Sequence, residues 1–289
     1  MRWLRKTGRI ARVDQLAAMS FDSPQPVPLL IYRKTAMRSH CLMAIGLALL
    51  AAFAPPVCAD TIKVYSSNAL QEAMGALLPM FERSSGHKID SIFEPTNAIL
   101  ERLKKGEPAD VVMLIKQSLQ PMRDAGELQP GTETDIARVS MGIAVRQGAP
   151  RPDTSSVEGF KRFLGSTDSL VLAKVGASGI EFTKALQKQG LYEELKPRIR
   201  TVEGAARTAE WVARGEGQVA VQMMSELRPV AGVQAFGPLP GDFNFQIVLT
   251  AAQRAGSSAG ASQIAAELIR FISSPAAKEI LREKGMDPL

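Results

Sequence analysis

The chain has 289 residues, a formal charge of +6, 45% hydrophobic residues, two cysteines and two histidines. Residues 1–59 carry eight Lys or Arg against two Asp and so hold the whole excess, because the other 230 residues carry 27 bases and 27 acids. A neutral body with no basic block argues against nucleic acid as a partner.

Residues 37–59 have the three parts of a secretory signal. Arg38 supplies the positive start, Cys41 to Phe53 is an apolar run of 13 residues, and Val57-Cys58-Ala59 offers small residues before a cut. Thirteen residues fall short of the roughly 20 a spanning helix needs. The reading is therefore a soluble, monomeric, periplasmic product that begins at Asp60, with residues 1–36 an upstream mis-start and translation from Met37. Both cysteines, Cys41 and Cys58, lie in the segment to be removed, and His87 is the one histidine left after it. Such a chain can build no disulfide, no His/Cys metal cluster and no Ser–His or Cys–His relay. No cofactor, no protein-chelated metal and no enzymatic activity are expected.

The mature part opens with a strand, Ile62 and Val64 alternating with polar residues. A turn at Ser66-Ser67-Asn68 follows, then a helix with Leu70, Met74, Leu77, Leu78 and Phe81 on one face. Such a turn points unpaired N–H groups out of a helix start, with the positive end of its dipole behind them, which suits an anion or a simple Asn68 N-cap. His87 to Phe93 reads as a strand, Pro95-Thr96-Asn97 as a turn, AILERLKK as a helix stopped by Gly106, and Ala109 to Ile115 as a buried parallel strand. This is a right-handed β-α-β-α-β lobe. Arg138 to Arg146 is a strand without a partner helix. A second α/β set then runs through a strand at Leu170 to Val175, a turn at Gly176-Ala177-Ser178-Gly179 and a helix at Ile180 to Gln189. A strand at Arg198 to Val202, a helix at Gly204 to Arg214, a strand at Gln218 to Met223 and a short helix that starts with Met224-Ser225-Glu226-Leu227 complete it. Phe243, Phe245, Ile247 and Leu249 alternate as a strand, and Ile264, Leu268, Phe271 and Ile272 share a helix face before Pro275. The expected architecture is α/β with two lobes and a ligand cleft between them. Residues 60–138 and 240–289 form lobe I and residues 139–239 form lobe II; a single continuous doubly wound sheet is the competitor.

VYSSNALQEAM, KKGEPADVVML, GASGIEFTKAL and FISSPAAKEILREKGM together resemble the periplasmic molybdate-binding proteins of ABC importers, and more broadly the type II periplasmic binding protein fold. GEPADVV and SPAAKEIL are the most specific pieces. The resemblance implies a small oxyanion held by hydroxyls and backbone N–H groups, captured by lobe closure and passed to a membrane permease. Carried over by motif, it places Ala69 where the family has a serine, Thr96 at a second hydroxyl position, the N–H of Ser178 in the third turn, another N–H near Ala205, and Met223 at the family's tyrosine. Two side-chain donors are thus absent, with Ser66, Ser67, Asn68, Gln222 and Ser225 as candidate replacements. Glu94 would repel an anion if it faced the cleft. Alternatives are a binding protein or sensor for another small ligand such as an organic acid, or a periplasmic enzyme on the same fold, for which Glu94 and Glu181 are the acid pair to consider.

Overall fold

The structure is a computed structural model, and it describes residues 60–203 and 208–289. The expected signal segment and upstream residues lie outside the described residues.

Ten strands make a mixed sheet flanked by helices. They are β1 (Thr61–Ser67), β2 (Lys88–Glu94), β3 (Val111–Ile115), β4 (Thr134–Arg146), β5 (Leu170–Ala173), β6 (Ile199–Val202), β7 (Val219–Met223), β8 (Val233–Phe236), β9 (Gln246–Gln253) and β10 (Asp287–Pro288). Along the sheet the order is β2-β1-β3-β9-β4-β7-β5-β6, with β8 and β10 also paired to β4. The helices are α1 (Gln71–Ser85), α2 (Thr96–Lys104), α3 (Lys116–Asp124), α4 (Val157–Gly165), α5 (Ala177–Lys188), α6 (Tyr192–Leu195), α7 (Thr208–Arg214), α8 (Met224–Leu227), α9 (Ala259–Ile272) and α10 (Pro275–Glu283).

The sheet is hydrogen-bonded end to end, yet it has two halves. Thr134 to Ser140 of β4 pair with β9, whereas Met141 to Arg146 of the same strand pair with β7 and β8. The chain returns to the first half between Phe236 and Gln246, and Asp287–Pro288 closes it against Ala137 and Arg138. Each half has its own apolar centre. Leu70, Met74, Leu77, Phe81 and Met113 anchor the first, while Phe160, Leu172, Phe182, Val221 and Phe243 anchor the second. The fold is therefore α/β and two-lobed, joined through a shared strand.

Several boundaries differ from the sequence reading. The strand expected over Arg138 to Arg146 runs 13 residues, because its first half fills the gap beside β9. Phe243 sits in a short 3-10 turn, Gly241–Phe243, outside β9. Its ring turns into the second core, 5.0 Å from Phe160 and 5.7 Å from Phe182, and burial there outweighs the strand period. The strand at Leu170 ends at Ala173, which leaves Lys174 and Val175 in the turn. α3 and α4 carry short apolar patterns. α3 buries only Leu119 and Met122 and contains Pro121, and α4 is announced chiefly by Ser156, whose Oγ accepts from Gly159 N at 3.0 Å.

Candidate ligand-binding cleft

Strand ends from both halves open onto one cleft of about 550 Å³. Its walls include Ser67, Asn68 and Ala69 after β1, Pro95 to Ala98 after β2, Lys174 to Ser178 after β5, and Gln222, Met223 and Glu226 around the end of β7. In open α/β sheets ligands gather outside the carboxyl ends of the strands, where helices start. The register makes this level, since Ser67 and Glu94 face each other as the last residues of β1 and β2.

At the first turn the cap is Ser67. Its Oγ accepts from Ala69 N at 3.4 Å, so the expected Asn68 cap is replaced by its neighbour. Asn68 instead donates from Nδ2 to Glu226 Oε1 at 3.0 Å, a bond between residues 158 positions apart. Ser66 is fully buried off the cleft lining, and its hydroxyl donates to Ser67 O at 3.3 Å.

α2 begins after Pro95 with no side-chain cap. Thr96 is 7% exposed and its Oγ1 is buried without a hydrogen-bond partner. Burying an unpaired hydroxyl costs on the order of 1–3 kcal/mol, so this group is the strongest polar signal in the cleft. Glu94 is absent from the cleft lining. Its carboxylate takes a two-pronged bond from Arg102 Nε and Nη2 at 2.9 and 2.8 Å, and Arg102 Nη1 reaches Glu107 at 2.8 Å. The repulsion feared from Glu94 is neutralised in that clamp. The hydrogen bond from Arg102 holds the Glu107 carboxyl below the usual range, and burial first, then the bond to Glu107, pushes the Tyr65 phenol up.

The third turn depends on two glycines. Gly176 has φ of 125° as it enters α5, a region that L side chains avoid. A Cβ on Gly179 would collide with the carbonyl oxygen of Ala173, so only glycine lets the helix start sit this close to the strand end. Ser178 is buried at the cleft wall. Lys174 also lines the cleft. It pairs with Glu203 at 2.6 Å, and that hydrogen bond raises its pKa.

Around β7, Gln222 Nε2 donates to the same Glu226 Oε1 at 3.0 Å, while Gln222 Oε1 accepts from Thr208 N and Thr208 Oγ1, each at 3.0 Å. Met223 is buried at the wall. Ser225 is buried away from the lining, its Oγ unpartnered. Ala205 lies outside the described residues. Glu226, 9% exposed, was missed at the sequence level. Its i,i+4 spacing from Gln222 was the available signal, although the pair straddles a strand end. Ile180 is 45% exposed on the cleft wall. Glu181, also on the wall, pairs with Lys184 at 2.7 Å.

The two-lobed α/β fold with helix starts around a central cleft defines a solute-binding protein. The chain belongs to the bacterial extracellular solute-binding protein family, whose model matches residues 62–287. Molybdate-binding proteins of three bacteria are among its relatives. It is 29% identical over 256 residues to an aconitate isomerase of a Pseudomonas species, spanning 86% of this chain and 96% of that protein. It is 26% identical over 248 residues to the molybdate-binding protein ModA of Rhodobacter capsulatus, spanning 84% of this chain and 94% of that one. Among solved structures, the periplasmic molybdate-binding protein of Azotobacter vinelandii matches with a TM-score of 0.64 at 16% identity, covering 78% of this chain and 98% of that chain.

Proposed function

We propose that the protein is the periplasmic binding component of an ABC importer, exported through a signal at residues 37–59. In this reading it captures a small anion between its lobes as a monomer and delivers it to a membrane permease. The observation that carries the reading is the buried, unpartnered Thr96 Oγ1 at a helix start within the cleft. A buried hydroxyl without a protein partner is one that a ligand oxygen can satisfy. Ser67, Asn68, Ala69, Ser178 and Met223 share the wall with it and are the proposed contacts, chiefly through backbone N–H groups at the starts of α2 and α5. Calorimetry with oxyanions and organic acids tests this. Thr96→Val should weaken the bound anion about tenfold or more, equivalent to roughly 1–3 kcal/mol. Unchanged affinity removes Thr96 from the site.

A second reading is favoured by the relative named aconitate isomerase and by the Glu226 carboxylate at the cleft wall. In it the same cleft binds an unsaturated acid and shifts its geometry. Incubating the protein with cis- and trans-aconitate and following the isomer ratio by chromatography decides the matter: turnover above the protein-free control makes it an enzyme.

A further inference from the structure

Val175 is 49% exposed and Ile180 45%, and with Leu289 they are the large hydrophobic side chains left exposed among the described residues. Both line the cleft, one on each side of the α5 start at Ala177. Ile115, Ile247 and Met223 also line the cleft. Exposed apolar groups gathered in a concave site mark a surface that something covers. The cleft volume of about 550 Å³ falls in the range of sites for organic ligands.

A bare tetrahedral oxyanion fits this wall poorly. Each of its oxygens needs donors, and it has no carbon to place against Val175 and Ile180. Two side-chain amides that could make up the donors, Asn68 Nδ2 and Gln222 Nε2, each give one of their two N–H groups to Glu226 Oε1. A carboxylate asks for fewer donors, since it presents two oxygens to the unpartnered Thr96 hydroxyl and the neighbouring N–H groups.

We infer that the ligand is an organic acid whose carboxylate meets the Thr96 and Ala177 helix starts while its carbon skeleton lies on the ledge of Val175 and Ile180. This rests on the small-anion reading above and selects among its ligands. The ledge is the specificity element: it adds affinity only for a ligand with carbon to bury.

The test is calorimetry of the full chain from residue 60 with molybdate, sulfate, succinate, citrate and trans-aconitate, repeated on Val175→Asn and Ile180→Asn. At least one organic acid should bind tenfold or more tighter than either oxyanion. Each variant should weaken that acid about tenfold while leaving the ligand-free melting temperature where it was, because neither side chain is in a core. Tight molybdate or sulfate binding with no organic acid bound overturns the inference and leaves the anion reading intact. Absence of any binding overturns the anion reading itself. Organic-acid binding that is indifferent to both substitutions overturns the ledge.

Discussion

Each half of the molecule has an apolar core, and each adds a different set of contacts to it. In the first, polar clamps tie strand ends to helices. Arg102 joins Glu94 and Glu107, Tyr65 OH donates to Glu107 at 3.1 Å, Glu82 accepts from Ile89 N at 2.9 Å, and Asp135 accepts from Thr250 Oγ1 at 2.7 Å. In the second, four phenylalanines do the equivalent work. Phe160 meets Phe243 edge-on at 80° and Phe182 at 70°, with Phe163 stacked beside it. Hydrogen bonds fix direction at small net gain, whereas ring burial gives more free energy with less control of angle. The contrast teaches that the helix starting at Thr96 is braced by a polar clamp, whereas the half carrying the Val175 and Ile180 ledge leans on a cluster of rings.

Breaking the second half should have the largest effect. Phe243→Ala removes a ring with 0% exposure that touches two others, and should cost about 3–5 kcal/mol in denaturant unfolding. A loss under ~1 kcal/mol would mean the aromatic cluster does not anchor that half.

Breaking the first half should cost less stability and more function. Arg102→Gln severs a clamp whose arginine side chain is 36% exposed, so the melting temperature should fall well short of the drop in Phe243→Ala. Ligand affinity should still fall several-fold, because Arg102 sits on the helix that begins with Thr96. Affinity equal to wild type would show that the clamp does not position that turn.

The smallest effect sharpens the comparison through pH. Glu82, Glu133 and Asp135 all have carboxyls held below their usual range. The Ile89 N–H is the main cause for Glu82 and the Arg123 bond for Glu133; at Asp135 burial pulls the other way and the bonds from Lys116 and Thr250 together outweigh it. A folded pKa below the unfolded value gives stability that is present above the unfolded pKa and lost as pH falls through the folded one. These side chains are 25%, 23% and 33% exposed, against 48%, 40% and 46% for Asp153, Asp242 and Glu216 in the second half. Acid should therefore loosen the first half first, below about pH 5. Thermal scans from pH 7 to 3 should show Glu82→Gln with a shallower acid limb than wild type, and Asp242→Asn, whose carboxyl is also held low by Lys188 but is more exposed, with a smaller change.

Local order was legible along the chain. The period-2 strand at Ile62 and Val64, the helix face from Leu70 to Phe81, the apolar run at Val111–Ile115 and the glycine-bounded turn before α5 all follow from short-range sterics and from burial of one face, which nearest neighbours in sequence report. Where the pattern failed, a distant partner had the stronger claim: Phe243 left its strand for a ring cluster, and β4 lengthened because β9 needed a neighbour. The site divides the same way. That Thr96 and Ser178 follow strands was visible in the sequence, while only the family resemblance marked Ala69 and Met223 as positions of a missing hydroxyl and a missing phenol. Only the tertiary structure brought Asn68 to Glu226 across 158 residues, put Glu94 in an arginine clamp, and turned Ile180 out to the cleft wall. Those outcomes depend on which strand ends meet, and hydrogen bonds and burial between such ends leave no period in the sequence that forms them.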